Sequence, residues 1–254
     1  MPDAGDLDHA RRREDRLAPL PAPLVLVHGG AHGGWCWSPT VPYLDGEVLA
    51  VDLPPKSVRG GPRRFESPPE LPDLTLADFA DSALRDVDAA GLERFVLVGH
   101  SMGGLTISEV ARRAPARVEH LVYVSCIVPP EGTSAMDALP QELLDAAPDA
   151  VEMFCNDMDD EQTRFVLDNM GTEAGQVLHE RITRTGIPND MPKTFVKLLR
   201  DQSLRPQDQE AYVGNLRRSP GGYVDVMTID AGHDVMVSRP KELADVLNQI
   251  ASAI

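Results

Sequence analysis

The sequence predicts an α/β fold in which a mostly parallel sheet of about six strands is flanked by helices. Short, continuous apolar runs such as residues 24–27 are typical of strands buried on both faces of a parallel sheet. Segments with apolar residues at helical spacing lie between several of these runs. Strands that alternate with helices in this way imply βαβ units and therefore a parallel sheet.

Each predicted element has a local signal of its own. Thr75 followed by Asp78 is typical of a helix start, Gly91 of a helix stop, and apolar residues between them fall on one face. The predicted strands and helices are strands 24–27, 47–51, 95–98, 121–124, 194–199 and 224–229, and helices 75–90, 105–114 and 240–254.

Three segments stand outside this alternation. Residues 1–20 carry mixed charges and predict a flexible tail before a single domain over residues 21–254. Residues 54–72 are rich in Pro, Gly and Arg and predict a long surface loop. Residues 128–192 are polar and mildly helical, and we interpret them as a cap inserted over one end of the sheet. Helices within this cap are predicted at residues 140–147, 160–169 and 174–183.

The acidic composition limits the partners of the chain. Its 254 residues suffice for one α/β domain with a large core. The formal net charge of −16 argues against nucleic-acid binding, which needs a basic face, and against docking on an anionic membrane surface. We expect a small-molecule partner, and a homodimer stays open.

Cysteine usage and the N-terminus predict the location. Cys36, Cys126 and Cys155 are too few and too scattered for a disulfide framework or a zinc site, which indicates reduced thiols. No apolar run approaches the length of a membrane span. Residues 1–20 have no apolar centre, so we expect neither a signal peptide nor an anchor, and a cytoplasmic protein.

A strand–turn–helix pattern surrounds Ser101. Four apolar residues lead into Gly99, and a helix-compatible run follows Gly104, which is the setting of a nucleophile elbow. Such a turn projects the serine Oγ from the carboxyl end of the sheet, and side chains at positions 99 and 103 would collide, hence glycine at both. The sequence therefore predicts Ser101 as a nucleophile.

A serine nucleophile needs a general base, and the base needs an acid that orients it. His233 follows the sixth predicted strand and precedes the last helix, which is the place expected for the base. The other histidines fit less well: His9 in the tail, His100 beside the nucleophile but pointing elsewhere, His120 before a strand, and His179 in the cap.

Asp201 is the predicted acid because it follows the fifth strand directly. Asp208 is a competitor one loop further on. Asp230 is close to His233 in sequence but ends the same strand, so we interpret it as structural.

Two backbone N–H groups must face the negative charge that develops on the substrate oxygen. Met102, directly after the nucleophile, and Gly30, in the glycine-rich loop after the first strand, are the candidates. The glycine spacing of residues 29–34 does not match a dinucleotide-binding loop. Candidate substrate-binding residues in this loop and after the predicted base are His32, Trp35 and Met236.

Four segments resemble the plant methylesterase and hydroxynitrile lyase family and its bacterial esterase relatives. Residues 24–37 resemble the first loop of this group, residues 98–105 its nucleophile turn, residues 201–209 its acid loop, and residues 232–243 its histidine loop. The resemblance implies the α/β-hydrolase fold with a small helical cap, no metal and no cofactor. It also implies hydrolysis of carboxylic esters, often methyl or aryl esters, through an acyl-enzyme.

The resemblance supports Ser101, His233 and Asp201 as a catalytic triad, with Gly30 and Met102 as oxyanion donors. The chain departs from the lyase branch, which has threonine at the position of Gly29 and lysine at that of Asp234. A cyanohydrin lyase needs a positive charge near the departing cyanide, so Asp234 disfavours that reaction.

Alternatives to ester hydrolysis remain at this point. Lactone opening, thioester cleavage or polyketide tailoring would use the same residues, and a non-catalytic ligand-binding protein would keep the fold alone. Epoxide hydrolases and dehalogenases are disfavoured, because their nucleophile is a carboxylate where this chain has Ser101.

Overall fold

The six apolar runs form one sheet in a computed structural model, which describes residues 20–54, 74–139, 149–171, 175–219 and 221–254. The strand order is β2-β1-β3-β4-β5-β6, and the five pairings are all parallel, which confirms the predicted fold class. The strands are β1 Leu24–Val27, β2 Val48–Val51, β3 Phe95–His100, β4 Val118–Val124, β5 Lys193–Leu198 and β6 Asp225–Ile229.

The helices connect and cover these strands. The predicted start of the first long helix is confirmed, because Thr75 and Asp78 cap each other reciprocally. Gly91, with φ of +72°, takes the left-handed conformation that ends it. The helices are α1 Leu76–Ala89, α2 Gly103–Arg113, α3 Ala135–Ala138, α4 Ala150–Phe154, α5 Asp160–Asn169, α6 Pro206–Arg217, α7 Val235–Ser238 and α8 Pro240–Ala251.

Alternate residues of each central strand enter two hydrophobic cores, one on each face of the sheet. Val25 and Val27 pack in the core that contains the apolar faces of α1 and α2. Leu24 and Leu26 point to the opposite face and pack in the core that contains the apolar face of α8. Both faces are therefore buried, as the continuous apolar runs require, and the carboxyl ends of the strands are left for a site.

The predicted cap contacts loops at the carboxyl ends of the strands. Asn156 donates to the carbonyl oxygen of Arg200 at 2.8 Å, Gln162 to that of Val237 at 2.9 Å, and the Gly171 N–H to that of Ala31 at 2.9 Å. The helix predicted over residues 160–169 is present as α5. The prediction for residues 140–147 lies outside the described residues.

The helix predicted over residues 174–183 is wrong in type and length. The structure has a 3₁₀ helix over Gly175–His179, and the chain then turns away. The backbone of Ile182 instead bonds to Gly132 and Thr133. In a longer helix, the same N–H and C=O groups would have bonded within the helix. A tertiary contact thus overrides the local helical pattern.

The predicted tail and the predicted loop at residues 54–72 lie outside the described residues, except for Leu20 and Pro54. Across the described parts of the chain, no helix combines the length and apolar character that crossing a membrane requires.

Candidate active site

Ser101 occupies a strained turn between β3 and α2. Its φ of +54° is unusual for a residue with a side chain and is expected of a nucleophile elbow. The turn is tightly enclosed: a Cβ on Gly99 would lie 2.9 Å from the Gly103 carbonyl oxygen, and a Cβ on Gly103 would lie 2.7 Å from that of His28. Glycine at these positions therefore allows the strand, the turn and the neighbouring loop to approach closely.

The structure brings Ser101, His233 and Asp201 into one hydrogen-bonded chain. The Nε2 atom of His233 lies 3.0 Å from the Oγ of Ser101, and its Nδ1 atom lies 2.7 Å from Oδ2 of Asp201. The side chains of His233 and Asp201 are fully buried, whereas Ser101 is partly exposed. This arrangement can orient the imidazole so that Nε2 accepts a proton from the serine.

Asp201 receives four hydrogen bonds in the structure. His233 and the Ser125 hydroxyl, at 2.6 Å, contact Oδ2, and the backbone N–H groups of Ser203 and Leu204 both donate to Oδ1 at 2.8 Å. Donors on both oxygens fix the position of the carboxylate beside His233.

Ser125 was missed by the sequence analysis. It follows β4 and has φ of +40°, a second strained position beside the site. Nothing in the local sequence connects it with Asp201, 76 residues away; the parallel pairing of β4 with β5 brings the two strand ends together.

The competing candidates have other partners. Asp208 lies near Arg205, with 3.2 Å between Oδ2 and Nε, and Asp230 is 73% exposed and lies near Arg200. His120 contacts the hydroxyl of Thr194. These contacts favour the predicted assignment of Asp201 over both alternatives.

His100 contributes to the site in a way that the sequence analysis did not anticipate. Its Nε2 donates to the His233 carbonyl oxygen at 3.0 Å, and the two rings lie 4.6 Å apart. Burial lowers the pKa of His100 well below its ordinary value, so the ring is neutral. The residue before the nucleophile therefore supports the backbone of the predicted base.

The two predicted oxyanion donors flank the nucleophile. Met102 is the N-cap of α2, a helix end where backbone N–H groups are directed outward. Gly29 packs directly against Ser101, since a Cβ on this glycine would lie 2.8 Å from the Cβ of Ser101. Gly30 follows at once and is partly exposed. Both positions fit the predicted role, which stays a prediction.

The predicted substrate-binding residues differ in exposure. Trp35 is partly exposed and stacks on His32 with 5.3 Å between the ring centres. The side chain of His32 is only 1% exposed, and its Nε2 lies 2.8 Å from Oδ2 of Asp234. Met236 is fully buried. Their contact with substrate stays a prediction, and Trp35 is the most accessible of them.

One group of side chains has the spacing of metal ligands. Ligand atoms of His100, His233 and Asp234 lie within 4.8 Å of one another. Both ring nitrogens of His233 already belong to the triad, and Nε2 of His100 bonds a carbonyl oxygen. The expectation of a metal-free and cofactor-free enzyme stays a prediction.

A model of the alpha/beta hydrolase family matches residues 24–246, which include the predicted triad. The chain belongs to the alpha/beta hydrolase family. This family member is 29% identical to the carbendazim hydrolyzing esterase of Nocardioides sp. (strain SG-4G), over 89% of this chain and 98% of the relative. It is 27% identical to esterase PIR7B of Oryza sativa subsp. japonica, over 90% of this chain and 95% of the relative.

Solved structures of other proteins share the fold. A pyrethroid hydrolase from Sphingobium faniae JZ-2 superposes with a TM-score of 0.72 at 21% identity, covering 91% of this chain and 98% of the other. The Arabidopsis methylesterase protein MES16 gives 0.71 at 15% identity, covering 92% and 100%. The predicted resemblance to plant methylesterases and bacterial esterases is confirmed. Another structural relative is described as extracellular, and the cytoplasmic location of this chain stays a prediction.

Proposed function

We propose that this alpha/beta hydrolase is a carboxylic ester hydrolase that acts through an acyl-enzyme on Ser101. The observation that carries the proposal is the continuous hydrogen-bonded chain from Asp201 through His233 to Ser101, in the strained turn of a nucleophile elbow. The two esterases that match most of the chain support an ester as the substrate.

In the proposed acylation step, the Oγ of Ser101 attacks the ester carbonyl carbon while Nε2 of His233 accepts the hydroxyl proton. The N–H groups of Met102 and Gly30 donate to the oxyanion that forms. Collapse of the intermediate breaks the bond to the alcohol, which leaves with the proton from His233.

Deacylation reverses these roles with water as the nucleophile. His233 takes a proton from water, hydroxide attacks the acyl carbon, and Ser101 leaves as the protonated hydroxyl. Asp201 stabilises the imidazolium in both steps and fixes the ring with Nδ1–H towards the carboxylate. The products are a carboxylic acid and an alcohol, and no cofactor is required.

The substrate class that we propose is a small carboxylic ester. The matches to a methylesterase of Arabidopsis thaliana, 34% identical over 110 residues, and to two whole-length esterases favour simple alkyl or aryl esters. The ring centres of Phe154 and His233 lie 5.6 Å apart, so Phe154 places an apolar surface of the cap beside the predicted base. An apolar acyl or alcohol group suits that surface.

The test compares Ser101→Ala with the parent protein on p-nitrophenyl acetate and on methyl esters. We expect kcat/KM to fall by at least about 10³-fold, because the nucleophile is lost. Ser252→Ala, at an exposed position after α8, is the matched control and should keep full activity. Retained activity in Ser101→Ala, or faster turnover of lactones or thioesters than of any ester by the parent, would overturn the proposal.

A further inference from the structure

A second histidine–carboxylate pair lies beside the triad. Nε2 of His32 is 2.8 Å from Oδ2 of Asp234, although the residues are 202 positions apart, and their side chains are 1% and 0% exposed. His32 belongs to the loop after β1 that carries Gly30, and Asp234 directly follows His233. The pair therefore joins the predicted oxyanion loop to the loop of the predicted base.

Both ring nitrogens of His32 face hydrogen-bond acceptors. Nδ1 lies 2.7 Å from the carbonyl oxygen of Gly30, and Nε2 faces the carboxylate of Asp234. A carbonyl oxygen and an ionised carboxylate cannot donate, so the ring must donate from both nitrogens and is an imidazolium. Burial raises the pKa of Asp234, but the facing charge of His32 and the hydrogen bond from its ring lower it overall, which keeps the carboxylate ionised.

The neighbouring buried histidines are different. His28 accepts the backbone N–H of Leu53 on Nε2 at 3.0 Å, so that nitrogen carries no proton, and burial lowers its pKa to about 4. His100 donates from Nε2 to the carbonyl oxygen of His233, and it is neutral because burial lowers its pKa. Among the described residues, His28, His100, His233 and Cys36 interact electrostatically with His32 or Asp234, and Asp52 interacts with His28 and Cys36.

The loop that His32 anchors is under backbone strain. Ala31, between Gly30 and His32, has φ of +60° without being glycine. Such a conformation persists only when surrounding contacts hold it. The bond from His32 to the Gly30 carbonyl and the bond from Gly171 to the Ala31 carbonyl are two such contacts.

We infer that the imidazolium of His32, held by Asp234, positions the Gly30 N–H of the oxyanion hole. His32 acts as a positioning residue and not as a substrate ligand, and Asp234 ties its position to that of His233. The inference rests on the proposed function, since it concerns the oxyanion hole of that reaction. A donor displaced by about 1 Å loses much of its effect on the transition state and little on substrate binding.

The first test is the protonation state of His32. In nitrogen-15-labelled protein at about pH 8, above the ~6.5 of unperturbed histidine, both ring nitrogens of His32 should show directly bonded protons. His32→Gln identifies the signals. A His32 ring with a single N–H under these conditions overturns the inference, and this measurement requires no substrate.

The second test is kinetic and uses Asp234→Asn, which keeps the shape of the side chain but removes its charge. We expect kcat per active site, counted by fluorophosphonate labelling, to fall about 10- to 100-fold while KM changes little. The inhibition constant for trifluoroacetophenone, whose adduct with serine carries the oxyanion, should rise in parallel. Unchanged kcat per site and unchanged inhibition would overturn the inference, because a merely structural defect lowers only the number of active sites.

Two control variants test whether loss of any nearby carboxylate or buried histidine would lower kcat. Asp230→Asn removes an exposed carboxylate from the same loop, and His120→Gln removes a half-buried histidine elsewhere; both should keep parental kcat. If Asp234→Asn does not fold, the double variant His32→Gln with Asp234→Asn removes both charges together and should show the same loss of kcat. If the parent hydrolyses no ester, the proposed function fails, while the N–H signals and the labelling rate of Ser101 still decide this inference.

Discussion

At the residue scale, the candidate site depends on groups that hold the predicted triad in place. Asp201 is held on both carboxylate oxygens, and Ser125 is the only side-chain hydroxyl among the donors described for it. Because Ser125 and His233 share Oδ2, the hydroxyl fixes the oxygen to which the imidazole bonds. Ser125 is thus the residue whose loss should loosen the triad without removing a member of it.

Ser125→Ala should lower kcat/KM by roughly 10- to 150-fold, because a hydrogen bond to a charged group contributes about 1.5–3 kcal/mol and each ~1.4 kcal/mol is a factor of ten. The remaining donors still hold the Asp201 carboxylate in place, so the loss should be far smaller than that of Ser101→Ala. Steady-state kinetics with p-nitrophenyl acetate measure both.

Ser203→Ala is the matched control for Ser125→Ala. Ser203 also donates to Asp201, but through its backbone N–H, which alanine retains. It should therefore keep nearly parental kcat/KM. Equal losses in the two serine variants would contradict the specific role of the Ser125 hydroxyl.

At the element scale, local patterns predicted the strands and the nucleophile turn well. Residues 24–27 and 95–98 are strands whose continuous apolar runs are buried on both faces of the sheet, between two helical layers. The helix predicted over residues 174–183 failed because backbone pairing of Ile182 with Gly132 and Thr133 is a tertiary event. A helical pattern in sequence contains no information about such a partner.

Gly232, directly before His233, lies where side chains of the cap pack against the loop of the predicted base. A Cβ at this position would lie 2.6 Å from Oδ1 of Asp157 and still closer to Oδ1 of Asn156. Gly232→Ala should therefore displace the cap or the loop, destabilise the protein by about 1–3 kcal/mol, and lower kcat/KM. Urea unfolding and ester hydrolysis check the two effects.

Gly214→Ala is the control for Gly232→Ala. Gly214 lies inside α6, and the nearest atom to an added Cβ is a guanidinium nitrogen of Arg218 at 3.4 Å, an ordinary contact. Alanine there should leave activity unchanged and stabilise the helix by up to about 1 kcal/mol. A Gly232→Ala protein as stable and as active as the parent would show that the cap does not constrain this loop.

At the scale of the whole molecule, long-range packing brings together site residues that no local sequence pattern connects. Ser101, Asp201 and His233 could be predicted because each follows a recognisable strand and the family resemblance supports their roles. Ser125, His100 and the partnership of His32 with Asp234 could not, because each depends on how distant segments pack together at the carboxyl edge of the sheet. Their contacts cross 76, 133 and 202 residues of sequence.

The same long-range packing buries neutral histidines, which predicts how stability depends on pH. The folded-state pKa of His28 is lowered to about 4 by burial, against about 6.5 in the unfolded chain. The unfolded chain therefore binds the proton first on acidification, and stability falls as the pH falls from about 6.5 to about 4. His100, whose pKa is also lowered by burial, acts in the same direction.

Each of these histidines contributes a slope of up to about 1.4 kcal/mol per pH unit within this window, and together about 2.7. Urea unfolding between pH 7 and pH 4.5 measures this slope in the free energy of unfolding. His120, whose pKa is also lowered by burial, adds to this slope. His28→Gln should reduce the slope by up to about 1.4 kcal/mol per pH unit, whatever the variant does to stability at pH 7. Asp234 and Glu131, whose pKa values are lowered, lose their contribution only near and below their unfolded values of 3.8 and 4.5. An unchanged slope in His28→Gln would therefore show that His28 is not the buried neutral base that the structure describes.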